Sequence, residues 1–263
     1  MGASNSMYIG VSGLNSFSAA LSVVADNVAN SNTTGFKSNS VTFGDMVSSY
    51  YSTQSADTDR AGSGSAILGI ATDYSEGPMV ATNKWSDVAI NGNGFFTVRT
   101  PAGDMYTRDG SFRMDSSGNL VTLQGYGVLD SSGAPITVDN PTTPAYSNYN
   151  IDADGMIWGT PVAGGDPVTI TGPIGVTIFP NQDGLIRQGA NLYTAGPQTG
   201  AANLGTPNTG GRGFIVDLNL ENSNVDLANE MVNMIIYQAD YNANSKTILT
   251  ASEMLEVVTN LIR

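Results

Sequence analysis

The chain contains no cysteine and no histidine in 263 residues. That double absence excludes disulfides, thiolate nucleophiles, zinc sites of the usual ligand sets and histidine general bases at once. Positive charge is also scarce. Ten Lys and Arg stand against 23 Asp and Glu, a net charge of −13, and the cations are scattered singly, so no basic patch forms by sequence clustering to meet phosphates. Nucleic acid is therefore not an expected partner. Charged residues of both signs make up only 13% of the chain, and Asp26 is the only charged side chain ahead of Lys37. No charged segment leads into a continuous apolar run at the start, and no stretch reads as the ~20 apolar residues of a membrane span. The expectation is a chain with no cleaved secretory signal and no membrane insertion.

Proline is missing from both ends, since all eleven lie between Pro78 and Pro207, and from Glu221 to Arg263 there is no glycine either. Within that second stretch apolar residues recur every seven positions at Leu227, Met234, Tyr241, Ile248, Leu255 and Ile262, with Met231 on the same face. This spacing predicts one long helix. Helical throughout residues 224–263, it would measure roughly 60 Å, more than a compact domain of this size buries on itself. The N-terminal stripe of Met7, Val11, Leu14, Phe17, Leu21, Val24 and Val28 steps by three or four and offers it a partner. Two such stripes can close as an antiparallel coiled coil. The pairing would be incomplete, because the seam positions Gln238, Ser245, Ser252 and Thr259 are polar.

The middle reads as strands and turns. Val88-Ala89-Ile90, Gly94-Phe95-Phe96-Thr97-Val98, Gly118-Asn119-Leu120-Val121-Thr122 and Val176-Thr177-Ile178-Phe179 are short, β-branched or aromatic, and bounded by turn residues. Asp109-Gly110, Asp154-Gly155 and Asp183-Gly184 fit tight turns. The run from Tyr50 to Gly69 is rich in Ser, Thr, Asp and Gly and reads as a mobile or extended connector. The expected class is α+β: an N-terminal helix in residues 1–34, a connector over 35–70, an antiparallel β-rich domain over 71–220, and a C-terminal helix over 221–263.

No catalytic constellation emerges. Four of the five glutamates (Glu221, Glu230, Glu253 and Glu256) lie near the C-terminus, and many aspartates sit beside Gly or Ser in turns rather than as paired acids. Asp152-Ala153-Asp154-Gly155 opens like a calcium loop but lacks the closing glutamate. Gly92-Asn93-Gly94 starts like a dinucleotide fingerprint, then continues as a strand. No enzyme activity, cofactor or metal is expected. A surface β-domain that binds carbohydrate and oligomerises through coiled-coil ends is a rival class, weakened because Trp85 and Trp158 lie far apart in sequence.

Four blocks then carry a resemblance. Val11-Ser12-Gly13-Leu14 followed by Val24-Ala25-Asp26-Asn27-Val28-Ala29-Asn30-Ser31-Asn32-Thr33-Thr34-Gly35-Phe36-Lys37 resembles the N-terminal signature of bacterial flagellar rod and hook proteins. Asp87 to Phe96, Tyr106 to Phe112, and Ser223 to Ile235 follow in family order. Phe43-Gly44-Asp45-Met46 and the ending Val258 to Arg263 look more like a hook protein than a distal-rod protein, whereas Ala239 and Asp240 depart from the family where an arginine usually follows Gln238. The resemblance implies a structural subunit that polymerises with itself into a tubular helical lattice, the hook or alternatively the distal rod. It also implies terminal helices forming an inner domain, neighbouring rod and hook–filament junction proteins, a hook cap, and passage through the flagellar export apparatus. In that setting Asn30 and Asn32 would end the first helix, Gly35 would supply a permissive backbone, and Phe36 would anchor the returning strand.

Overall fold

A computed structural model describes residues 2–47, 62–139 and 146–261. The chain divides into two compact units, Met1–Asn30 with Ser38–Asp73 and Val225–Arg263, and Ser31–Lys37 with Tyr74–Asn224.

In the first unit α1 spans Gly2–Ala29, β1 Asn39–Val47, β2 Gly62–Thr72 and α2 Leu227–Leu261. With 35 residues, α2 runs about 50 Å at 1.5 Å per residue. Asp226 caps it, its carboxylate accepting from the backbone N–H of Ala228 at 2.9 Å and Asn229 at 3.4 Å. The absence of Gly and Pro lets the helix continue without a break. The helices run antiparallel: Gly10 lies against Ile248, Gly13 against Asn244, Phe17 against Tyr237, and Asn27 bonds Glu230.

Residues 62–69, expected as loose connector, are instead strand, while Tyr50 to Ala61 lie outside the described residues. β1 and β2 pair antiparallel from Asn39↔Thr72 to Val47↔Gly62, with irregularities after Thr42 and Asp45. Composition concealed this hairpin because it is held by strand pairing and by packing on α1. Phe43 packs on Phe17 with ring centroids 5.4 Å apart, and the Ser16 hydroxyl donates to the Ser65 carbonyl at 3.0 Å.

The expectation that no stretch is apolar and long enough to span a membrane also needs correction. By length and composition α1 meets that test over Asn5–Ala29. Its Val, Leu, Ile, Phe, Met and Ala residues, with Asp26 as its single charge, give it that hydropathy, and its buried face is packed on α2 and β2.

The second unit is antiparallel β. Its strands include β3 (Met79–Ala81), β4 (Val88–Asn91), β5 (Phe95–Thr100) and β6 (Gly103–Thr107). β5 and β6 sit inside a nine-stranded sheet, and a separate three-stranded sheet joins Tyr146–Ile151, Ile157–Pro161 and Val168–Thr171. Val88, Ile90, Phe96, Val98, Phe112 and Val128 build the main core, and Phe95, Tyr106, Phe179 and Tyr193 a smaller aromatic one. Residues 31–37 belong to this unit and 38–73 to the helical one, so the boundaries differ from the expected 34/35 and 70/71. The chain returns to the helical unit for a hairpin before committing to the β unit.

Candidate assembly surface and strand junction

The face of α1 that is buried is a stripe of small residues, Gly10, Gly13, Ser16 and Ala20, continued by Val24 and Asn27. A Cβ on Gly10 would lie 2.7 Å from Ile248 Cγ1, and one on Gly13 2.6 Å from the Asn244 amide. Small residues here let the two backbones approach closely. Of the expected seam, Val24 is buried, Met7, Leu14, Phe17, Leu21 and Val28 are half-buried at the flanks, and Val11 is exposed. The packed stripe is therefore rotated by about one residue from the large apolar positions. Wholly buried, Asn27 ties three elements together: its amide donates to Glu230 at 2.9 Å and to the Asn39 carbonyl at 2.8 Å, and accepts from the Asn39 N–H at 2.9 Å.

On α2 the expected seam divides. Met234 and Ile248 are half-buried, whereas Leu227, Met231, Tyr241 and Leu255 are exposed, and Ile262 lies outside the described residues. Tyr237, absent from the expected set, closes a ring cluster with Phe17 and Phe43. Around them α2 leaves Val232, Ile235, Leu249, Met254, Val257 and Leu261 in solvent. Large apolar side chains exposed in this number are a feature of interaction surfaces.

In the β unit, residues 31–37 and 221–224 are clamped side by side. The Gly35 N–H donates to the Glu221 carbonyl at 2.8 Å, and the Asn224 N–H to the Phe36 carbonyl at 3.4 Å. Gly35 has φ +67, and a Cβ there would lie 2.6 Å from the Asp109 nitrogen, so both conformation and space require glycine. Phe36 is buried beneath the Arg187 guanidinium, 4.9 Å from its ring centre. Asn191 adds a bond to the Thr34 carbonyl at 2.7 Å. Asn30 bonds back to Asp26, and Asn32 is exposed.

The clamp is locked by buried charge. The Glu221 carboxylate takes Lys37 Nζ on one oxygen and Arg108 Nη1 at 3.2 Å on the other, and it also accepts the Gly77 N–H at 3.0 Å. Lys37 donates further to the Ser75 carbonyl at 2.6 Å, and Arg108 to the carbonyls of Ile90 and Gly92 at 3.1 and 2.7 Å. Burial pulls the Lys37 ammonium below its ordinary value, Glu221 opposes that shift, and nearby Arg108 adds to it. Burial likewise lowers Arg108, whose Nε has no partner among the described residues while its guanidinium lies 5.4 Å from the Phe95 ring centre. Lys37 and Arg108 both fall in the signature blocks, yet sequence reading gave them no role, because their shared partner is 184 and 113 residues away.

Comparison with known proteins bears on both features. Residues 7–37 match a family model described as "Flagella basal body rod protein", 89–159 one described as "Flagellar hook protein FlgE/F/G D1 domain", and 218–261 one described as "Flagellar basal body rod FlgEFG protein C-terminal". The chain is 38% identical to the flagellar basal-body rod protein FlgG of Bacillus subtilis (strain 168), an alignment covering 98% of this chain and 99% of that protein. It is 34% identical to the FlgG of Borreliella burgdorferi, with 98% of each covered, and 32% identical to the flagellar basal-body rod protein FlgF of Mesorhizobium japonicum, again with 98% of each covered. The junction at residues 31–37, the Arg108 cradle and the unfinished surface of α2 all fall within the matched segments, and the chain belongs to the flagellar rod and hook protein family.

Proposed function

We propose that the protein is a structural subunit that polymerises into the distal rod of a bacterial flagellar basal body. The observation that carries this reading is a match to basal-body rod proteins along nearly the whole chain, in a molecule whose longest helix leaves many of its apolar side chains uncovered. The hook assignment expected from Phe43-Gly44-Asp45-Met46 gives way. The Phe43 ring packs against Phe17 and Tyr237, which accounts for an aromatic residue there without any hook-specific role. The relatives named above are rod proteins, and that supports the rod over the hook.

In this reading α1 and α2 pair as a coiled coil that lines a tube, and exposed side chains such as Met231, Ile235 and Leu255 are buried by neighbouring copies. Burial of a Leu or Met side chain contributes roughly 1.5–3 kcal/mol, so a few per subunit suffice for a stable lattice. The partners are further copies of the chain, adjoining rod and hook proteins, and the flagellar export apparatus through which subunits pass. The role is mechanical and needs no cofactor. The hook cap and hook–filament junction proteins belong to the hook reading and drop out with it.

The test is genetic and structural together. Cells lacking the protein are expected to be non-motile and to stall with incomplete rods, and a variant missing residues 224–263 is expected not to rescue them. Complete rods with only hooks missing would restore the hook assignment. Normal swimming would remove both.

A further inference from the structure

The three-stranded sheet of the β unit carries a groove that assembly does not explain. Its volume is about 540 Å³, within the roughly 300–1,000 Å³ typical of small-ligand sites. Asn150 pairs with Trp158 and Asn148 with Thr160 across the strands, so all four side chains project from one face. Asp152, Pro167, Tyr149 and Gly159 complete the lining. The Tyr149 ring stacks on Trp85 at 4.7 Å and packs against the main core. The groove face is therefore held in place from behind.

Its chemistry is specific. The Trp158 indole is half-buried and, among the described residues, has neither a ring partner nor a hydrogen bond from its N–H. The side-chain amides of Asn148 and Asn150 are exposed and likewise unengaged. Among the described residues the Asp152 carboxylate bonds only the neighbouring Ala153 N–H, at 2.7 Å. Among the described residues no cation lines the groove, and with the chain's net charge of −13 this disfavours anionic ligands. A flat aromatic face flanked by two amides, a hydroxyl and a carboxylate matches a ligand with one apolar C–H face and a rim of hydroxyl donors and acceptors.

We propose that this groove binds a neutral pyranose unit of an oligosaccharide, with the sugar face stacked on Trp158 and its hydroxyls bonded by Asn148, Asn150 and Asp152. The probes are chitotriose, cellotriose and maltotriose, titrated into the full-length protein. A Trp85→Phe background leaves Trp158 as the sole indole, and saturable emission change at millimolar sugar is expected with at least one probe. Ligand-observed NMR with Trp158→Ala is expected to lose binding, and Asn150→Ala to weaken it about tenfold, the effect of one lost hydrogen bond to a polar group. Melting of the β unit is followed for each variant, and Asn150→Ala, an exposed substitution, keeps the test decisive if Trp158→Ala unfolds. No saturable change with any probe would overturn the proposal, as would binding that survives both substitutions. A Trp158 emission shift that depends on protein concentration without sugar would instead assign the face to a second copy of the chain.

Discussion

In the β unit Val88, Ile90, Phe96 and Val98 are wholly buried, whereas on α2 Met231, Ile235, Leu249 and Leu261 are 55, 66, 59 and 80% exposed. Both sets are large apolar side chains, so composition does not separate them. The β unit closes its core with its own strands and can afford a buried charge cluster at Glu221 because each charge has hydrogen-bonded partners. The helical unit has one partner stripe on α1 and one hairpin to cover a helix whose apolar residues run around its circumference. The difference separates what the chain finishes alone from what it leaves to neighbours.

The sharpest way to break that contrast is at Glu221. Glu221→Gln removes the carboxylate that Lys37 and Arg108 share in a buried site, and removing one partner of such a group costs about 3–5 kcal/mol. The β unit is expected to melt well below wild type in calorimetry. An unchanged transition would mean the cluster is dispensable.

Next in size, Gly10→Val probes the close approach of the helices. Its Cβ would stand 2.7 Å from Ile248 Cγ1, and overpacking of this kind costs roughly 1–3 kcal/mol. Loss of α-helical signal by circular dichroism at lower denaturant, with the β transition kept, is the expected result. If the two transitions shift together, the units are not independent.

Leu255→Asp sharpens the comparison from the other side. Leu255 is 39% exposed, so the monomer's stability is expected to change by no more than about 0.5 kcal/mol, as for surface substitutions generally. Polymerisation measured by sedimentation is expected to fail. Assembly at the wild-type rate would show that this face of α2 is not an interface.

The smallest effect belongs to Tyr149. Burial and a 2.7 Å hydrogen bond to Asp139 push its phenol up to about 12. Because the folded value is raised above the ordinary 10, the stability it contributes is complete below pH 10 and is lost as pH rises towards 12. Burial also raises the Tyr106 and Tyr193 phenols, so tyrosinate absorbance is expected to lose one of several late-titrating phenols in Tyr149→Phe. A titration identical in both proteins would contradict the assignment.

Much of the fold was legible because it is local. Periodicity and the absence of Gly and Pro announce α2, and β-branched runs between turn residues announce β4 and β5. The hairpin of β1 and β2 was not legible, because Gly62, Ser63, Gly64 and Ser65 have weak strand propensity and are held by pairing and by α1. Nor was the packed face of α1. The residues that bring backbones together are Gly10, Gly13, Ser16 and Ala20, whose three- and four-residue spacing was there to be read but carries little hydrophobic signal.

By itself the sequence determined that two end helices would bracket a β-rich middle, because helix and strand propensities and turn chemistry act over a few residues. Only the tertiary structure decided which side of α1 is buried, that Lys37 and Arg108 meet at Glu221, and which apolar residues of α2 remain uncovered. Those outcomes depend on close approach and charge compensation between residues far apart in the chain, and such energies exist only once the elements have packed.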